Sequence, residues 1–238
     1  MHNARFWRGY FKTMFVPHLE RTLEALEHRV LPAFDGIDAE ATDIQNKTYD
    51  ELMEHPGDPD ADWFSFGEAA HEAAVDAGFA HYSELEAVKQ SLLNSFAPIL
   101  YHAWEQQLIA FHRKEILHPS EEHRNDLMHP KELRRRLMKK GVDITKLPSW
   151  PAIEEFGLVA NTVKHADGWS ADVLKKTRPE MFEQRDSDFK LKAHHPRTRR
   201  VYTPLSGDDL YLTLADLQSY GRATIAFWSE FADALEHG

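Results

Sequence analysis

Apolar side chains recur at intervals of three and four residues along most of this 238-residue chain. This spacing places them on one face of an α-helix, whereas a half-buried strand would show strict alternation. The clearest case covers residues 150–166, where the apolar positions are Ile153, Phe156, Val159, Ala160 and Val163. The pattern predicts an all-α fold, a helical bundle with long central helices.

Prolines, glycines and polar caps bound the predicted helices. These cover residues 3–15, 17–30, 38–54, 66–77, 84–117, 131–140, 150–166, 171–177 and 213–235. We expect a break near Gly78, a bend at Pro98 and a helix cap at Thr213. The apolar stripe of the long helix 84–117 consists of Leu85, Val88, Leu92, Phe96, Ile99, Ala103, Gln106 and Ala110.

One segment departs from the helical pattern. Residues 199–204 and 210–212 have the composition of short strands, and Ser206-Gly207-Asp208-Asp209 between them is a turn sequence, so we predict a small β-hairpin within residues 196–213. We expect one domain over residues 1–238, with a helical lead at 1–60, core helices at 66–168, this hairpin, and a C-terminal helix at 213–236.

Composition excludes several classes of protein. Cysteine is absent, which rules out disulfides, thiolate catalysis and zinc–thiolate sites. No apolar run approaches the roughly 18 residues of a membrane span, and the N-terminus lacks the apolar region of a signal peptide. We therefore expect a cytoplasmic protein that does not bind membranes.

The net charge of −11 is unevenly distributed. Acidic residues are dense between Glu40 and Glu86, where Lys47 is the only Lys or Arg. Two basic clusters stand outside that belt and flank the helix 150–166 in sequence. The first is Lys131, Arg134, Arg135, Arg136, Lys139 and Lys140; the second is Lys175, Arg178, Lys190, Lys192, Arg197, Arg199 and Arg200. Each cluster is either a solvated face or part of a field that attracts RNA phosphates, and we expect no sequence readout of DNA.

Asn161 and His165 lie four residues apart, and are therefore neighbours on one helix face opposite the apolar face. Gly168 is expected to end this helix in a left-handed conformation. The free carbonyls of the last turn favour a cation, which suits His165 to general acid or base chemistry. Leu158 in the same polar stripe suggests a second contact surface at a helix pair or subunit interface.

The segment Asn161-Thr162-Val163-Lys164-His165-Ala166-Asp167-Gly168 resembles the active-site segment of the HEPN superfamily of helical-bundle proteins. The signature of that family is an Arg, usually followed by Asn or another polar residue, and then a His four to six positions further on. Ala160 occupies the arginine position here. The resemblance implies metal-independent cleavage of RNA, including tRNA, at a site shared across a homodimer, as in toxins and phage-defence effectors.

A second copy of the signature begins at Arg124, continues with Asn125 and reaches its histidine at His129. It has the arginine that the first copy lacks, but Pro130 pushes His129 out of helical geometry. We therefore favour the first copy as the site and keep Arg124 and His129 as further catalytic candidates.

The resemblance also suggests a division of roles. His165 would move a proton, and Asn161 would orient His165 or the phosphate. Lys164 or Arg124 would stabilise charge on the phosphate oxygens. Candidate binding or supporting residues are Asn125, His102, Glu105, Asp167 and Arg178. His102 and Glu105 are neighbours at a spacing of three, although a histidine at the edge of an apolar stripe is more often a core residue.

Two other classes of function compete with the nuclease. A non-catalytic helical module would bind a protein partner or RNA, and the acidic belt would suit a basic antitoxin or regulatory protein. A metal-binding bundle is suggested by Glu68-x-x-His71, but such sites need a second copy and further carboxylates. We expect neither a metal nor a cofactor.

Overall fold

The computed structural model describes residues 3–54, 63–121, 123–183 and 209–237. Eight α-helices can be followed in this part of the chain. They are α1 (Ala4–Tyr10), α2 (Val16–Ala25), α3 (Ile37–Glu54), α4 (Trp63–Phe111), α5 (Pro130–Lys139), α6 (Trp150–His165), α7 (Trp169–Thr177) and α8 (Leu214–His237). The predicted all-α class is confirmed.

The first two predicted helices form one continuous helical run. A π-helical turn, Phe11–Phe15, joins α1 to α2, and further π- and 3₁₀-helical turns, Leu26–Val30 and Leu31–Phe34, extend α2. We expected Pro17 to start a separate helix. Proline lacks an N–H and clashes with the preceding turn, and the wider π-helical turn just before Pro17 accommodates it without a break.

The predicted break near Gly78 is also wrong, because α4 continues through it for 49 residues, about 74 Å. Gly78 is buried, and a Cβ atom there would lie 2.8 Å from the carbonyl oxygen of Ala41 in α3. The glycine therefore permits close contact between two helices instead of ending one. We call α3 together with residues 63–85 of α4 the arm. Its small apolar cluster consists of Ile37, Ala41 and Tyr82 with Phe34 and Leu85.

The face of α4 that enters the main core overlaps the predicted stripe only in part, since Phe96, Ala103 and Ala110 pack against this core while partly buried. The buried residues are Leu93, Ala97, Leu100, Trp104, Leu108 and Phe111. Two members of the predicted stripe, Val88 and Ile99, are 49% and 51% exposed. Helix α4 is apolar on two faces, so periodicity alone could not choose between them. We call the predicted stripe the outer face of α4.

Both α6 and α8 enter the core with the predicted faces. In α8 these residues are Leu217, Tyr220, Thr224, Phe227, Trp228 and Phe231, all buried. Thr213 caps α8 as expected, since its Oγ1 accepts from the Asp216 N–H at 3.1 Å while the Asp216 carboxylate accepts from the Thr213 N–H at 2.9 Å. The helices are therefore held in fixed positions around the core.

The predicted β-hairpin is not seen, and the described residues contain no strand. Its first half, with residues 199–204, lies outside the described residues. The carbonyl groups of the second half are bonded to α4 instead of to a strand: Asn94 donates to Leu210 at 2.6 Å and Gln90 to Leu212 at 2.9 Å. No helix in the described part of the chain combines the length and apolarity needed to cross a membrane.

Candidate functional site

Helix α6 is fixed at its start and in its middle. At its start, the backbone N–H and the hydroxyl of Ser149 donate to the Glu230 carboxylate of α8 at 3.0 and 2.6 Å. Further along, the Phe156 ring stacks on Tyr220 with centroids 4.7 Å apart. On the apolar face of α6, Ile153, Phe156, Val159 and Ala160 are buried and Val163 is partly buried, so the rotation of the helix about its own axis is set by core packing.

Three polar side chains occupy the opposite face at the end of α6. Asn161, Lys164 and His165 are all exposed; Asn161 is three residues from Lys164 and four from His165, so it neighbours both, with Lys164 at the edge of this face. Within the described part of the chain, none of the three has a side-chain hydrogen bond or an ion pair. We call these three residues the α6 tip. The structure thus brings three of the predicted site residues together on one open surface.

Two neighbouring positions differ from expectation. Ala160, at the position of the family's arginine, is fully buried, so this position faces the core and not the α6 tip. Leu158 is half-buried and packs against the main core.

The turn after α6 contains two residues with positive φ. Ala166 follows the helix directly with φ 55°, and Gly168 has φ 148° immediately before α7. We expected Gly168 to end α6, but Ala166 does so, since the left-handed residue must come directly after the last helical one. Asp167, between them, pairs with Lys175 of α7 at 3.8 Å. This tight reversal starts α7 beside the α6 tip.

Trp169, the first residue of α7, was not predicted as a site residue. Its side chain is 73% exposed. Ala171 and Leu174 form the buried face of α7, which puts Trp169 on the opposite side. The sequence could have indicated this position, because the spacing from Ala171 and Leu174 places Trp169 on the polar face of the helix. An indole on a polar face next to a candidate site is unusual.

Arg178 lies among acidic partners at the end of α7. Its guanidinium contacts Glu155 of α6, Asp216 of α8 at 3.0 Å, and Glu180. Burial opposes the charged form, but these carboxylates and Tyr220 raise the arginine pKa overall. Arg178 therefore joins α6, α7 and α8, and its donors are directed at protein groups.

The second motif copy does not form a shared helix face. Arg124 precedes a short 3₁₀-helix, Asn125–Met128, and its guanidinium pairs with Asp126. The exposed His129 caps α5 through its Nδ1, which accepts from the Lys131 N–H at 3.3 Å. These contacts are local, and Asn125 is exposed beside them.

Helix α6 runs antiparallel to the second half of α4. The ring of Trp150, at the start of α6, lies 6.4 Å from that of Trp104, and the ring of Phe156 lies 5.5 Å from that of Tyr101. Residue numbers therefore rise along α6 while they fall along α4. The α6 tip lies level with the middle of α4.

The second motif copy lies near the C-terminal end of α4. There, Arg113 donates to the sulfur of Met128 at 3.8 Å. At a rise of 1.5 Å per residue, the α6 tip and this segment are about 30 Å apart along the bundle. Arg124 is therefore not brought to His165 within one chain.

His102 and Glu105 lie on α4, with His102 Nδ1 3.8 Å from the Glu105 carboxylate. His102 is exposed and not a core residue; it lines an open groove of about 460 Å³ with Phe15 and His18. Burial, together with Glu105, raises the pKa of the neighbouring Tyr101 to about 12. This pair is thus placed on a different surface from the α6 tip.

No group of three or more His, Asp or Glu side chains that could hold a metal ion occurs in the described residues. Glu68 and His71, the pair suggested by the sequence, are both exposed on the arm. His71 contacts Tyr49 of α3, with ring centroids 6.3 Å apart.

The basic cluster on α5 is partly neutralised. Arg136 bonds to both Glu121 and Glu132, and Arg135 bonds to Glu132. These arginines lower the pKa of each carboxyl to about 2. Lys131, Lys139 and Lys140 remain exposed. In the second cluster, residues 190–200 lie outside the described residues.

Comparison of the chain with protein-family models, with curated proteins and with solved structures gives no significant match.

Proposed function

We propose that this protein is a metal-independent endoribonuclease whose site is the α6 tip. One observation carries the proposal: Asn161, Lys164 and His165 are together and exposed at the end of a helix whose other face is locked in the core. Fixed positions are what acid–base catalysis needs, because a catalytic group loses rate when its geometry is loose. The proposal of metal independence follows from the HEPN resemblance.

The reaction is a transesterification within the RNA, in which the phosphorus exchanges one ester oxygen for another. The ribose 2′-oxygen loses its proton and attacks the adjacent phosphorus, while the bond from phosphorus to the 5′-oxygen breaks. His165 takes the 2′-hydroxyl proton or donates one to the departing 5′-oxygen. Lys164 stabilises the charge that develops on the phosphate oxygens, and Asn161 orients the histidine or the phosphate. Solvent water completes the other proton transfer.

The products test this reaction. In EDTA, the wild-type protein should cut total tRNA or single-stranded RNA to fragments with 2′,3′-cyclic phosphate and 5′-hydroxyl ends. RNA with 2′-O-methyl groups throughout should stay intact, because its 2′-oxygen cannot attack. Fragments with 5′-phosphate ends, or cleavage of the methylated RNA, would contradict the mechanism.

The buried Ala160 favours a second candidate function. With no arginine beside Asn161, the α6 tip lacks the cation of the family signature, and Lys164 is its only Lys or Arg. A non-catalytic module would bind RNA or a protein partner through the same residues, and an antitoxin or regulatory protein would be such a partner. In that case wild-type protein binds RNA but leaves it uncut.

A further inference from the structure

Trp169 exposes an indole for which the fold gives no reason. Three other tryptophans, Trp7, Trp104 and Trp228, are at most 3% exposed, whereas Trp169 is 73% exposed. In the described part of the chain, the ring of Trp169 has no aromatic contact. An indole in water forgoes about 25 cal/mol for each Å² that burial would have covered. Among the large hydrophobic side chains of the described residues, none is more exposed than Trp169.

The geometry of the turn places this indole beside the α6 tip. Only three residues separate His165 from Trp169, so their backbones are at most about 14 Å apart. The turn is defined by the positive φ angles of Ala166 and Gly168 and by the Asp167–Lys175 pair at 3.8 Å. Both side chains are exposed. The indole and the candidate acid–base residue are therefore both exposed at one short turn of the chain.

The charges around this surface suit a nucleic-acid strand. Lys164 of the α6 tip and Lys176 of α7 are exposed, and cations at such positions attract phosphates. Asp172, one turn after Trp169, is also exposed and offers an acceptor to the amino groups of bases. A flat ring with lysines on either side of it along the chain is an arrangement that proteins use to bind single strands.

We propose that Trp169 stacks on an unpaired base adjacent to the phosphate that the α6 tip cleaves. This inference rests on the proposed function. A base in a duplex already stacks on its neighbours, so only an unpaired base offers its face to the indole. Every base has such a face, so stacking sets no strict sequence preference. The substrate class is therefore RNA with unpaired segments, such as single strands and loops.

Binding measured apart from cleavage tests the inference. The probe is a short fluorescent RNA with 2′-O-methyl groups throughout, used as a single strand and annealed to its complement, with fluorescence anisotropy as the readout. Trp169→Ala should weaken binding of the single strand about 10- to 100-fold. Trp169→Phe should keep most of the affinity, since a phenyl ring also stacks. Phe6→Ala is the matched control, because Phe6 is a 61% exposed aromatic in α1.

The outcomes separate this inference from the proposed function. Equal binding of the single strand by wild type and Trp169→Ala would overturn the inference, as would an equal loss for single strand and duplex. If binding depends on Trp169 but unmodified RNA is not cleaved, the proposed nuclease activity is wrong. The inference of a stacking site for unpaired RNA then still holds. If the wild type binds neither RNA, both proposals are wrong.

Discussion

Two histidines of this chain experience opposite environments. His165 is exposed at the α6 tip, whereas His112, just after α4, is fully buried. Neither ring nitrogen of His112 has a hydrogen-bond partner among the described residues. Burial and the nearby Arg136 lower the pKa of His112 to about 4, although Glu132 and Glu121 act in the other direction. This histidine is therefore neutral in the folded protein at pH 7.

His112 should make the protein sensitive to mild acid. In the unfolded chain its pKa is about 6.5, so between pH 6.5 and 4 the unfolded state binds more protons than the folded state. Above pH 6.5, His112 should not change the free energy of unfolding. As the pH drops from 6.5 to 4, this free energy should fall by up to about 3 kcal/mol. Urea unfolding at pH 7 and pH 5 measures this loss, and His112→Leu should reduce it.

The carboxyl groups near His112 act in a different pH range. Bonds from Arg136 and Arg135 lower the pKa of Glu121 and Glu132 to about 2, so their contribution is lost only below about pH 4.5. If the wild type unfolds at the same urea concentration at pH 7 and at pH 5, the loss of stability that we assign to His112 does not occur.

At the scale of single elements, the arm depends on Gly78. A Cβ at this position would lie 2.8 Å from the carbonyl oxygen of Ala41, and a backbone atom cannot move aside cheaply. Gly78→Ala should push α3 away from α4 and destabilise the arm, which hydrogen exchange of the α3 amides would measure as faster exchange. Cleavage should persist, because the α6 tip belongs to a different part of the bundle.

Gly67, also in α4, provides the matched control. A Cβ there meets nothing within 4 Å. Gly67→Ala should therefore stabilise the helix by about 0.5–1 kcal/mol, the difference in helix propensity. Equal exchange of α3 in the two variants would show that close packing at Gly78 does not hold the arm.

The same elements show what the sequence could predict. Helices α6 and α8 each have one apolar and one polar face, so their buried residues and the grouping of Asn161 with His165 followed from spacing. Helix α4 is apolar on two faces, and Gly78 lies inside it for reasons of packing. The glycine therefore predicted a break that does not occur, and spacing predicted a face of which Phe96, Ala103 and Ala110 pack against the core while Val88 and Ile99 do not. Trp169 was missed although its position relative to Ala171 and Leu174 predicts that it lies on the exposed face of α7.

At the scale of the whole molecule, we expect a homodimer. The outer face of α4 carries Val88 and Ile99, about half exposed, and borders the groove that contains Phe15. A second copy of the chain presents the same apolar stripe, so the two faces complement each other around a twofold axis. Ile99→Glu should place a charge in this contact and give a monomer in analytical ultracentrifugation.

A second exposed apolar residue controls for the added charge. Met138, on α5, is 55% exposed, and Met138→Glu should leave the dimer intact. A wild-type protein that sediments as a monomer would contradict the expected dimer, as would dissociation of both variants to the same extent.

The central claim is that His165 performs the chemistry, and cleavage by matched histidine variants tests it most directly. Wild type, His165→Ala and His129→Ala are incubated with total tRNA and with single-stranded RNA in EDTA, and the products are resolved on a gel. His129 is exposed about 30 Å away in the second motif copy, so its variant controls for loss of an exposed histidine. We predict that wild type and His129→Ala cleave, and that His165→Ala loses at least about 100-fold in rate. Cleavage by His165→Ala at the wild-type rate would contradict the account.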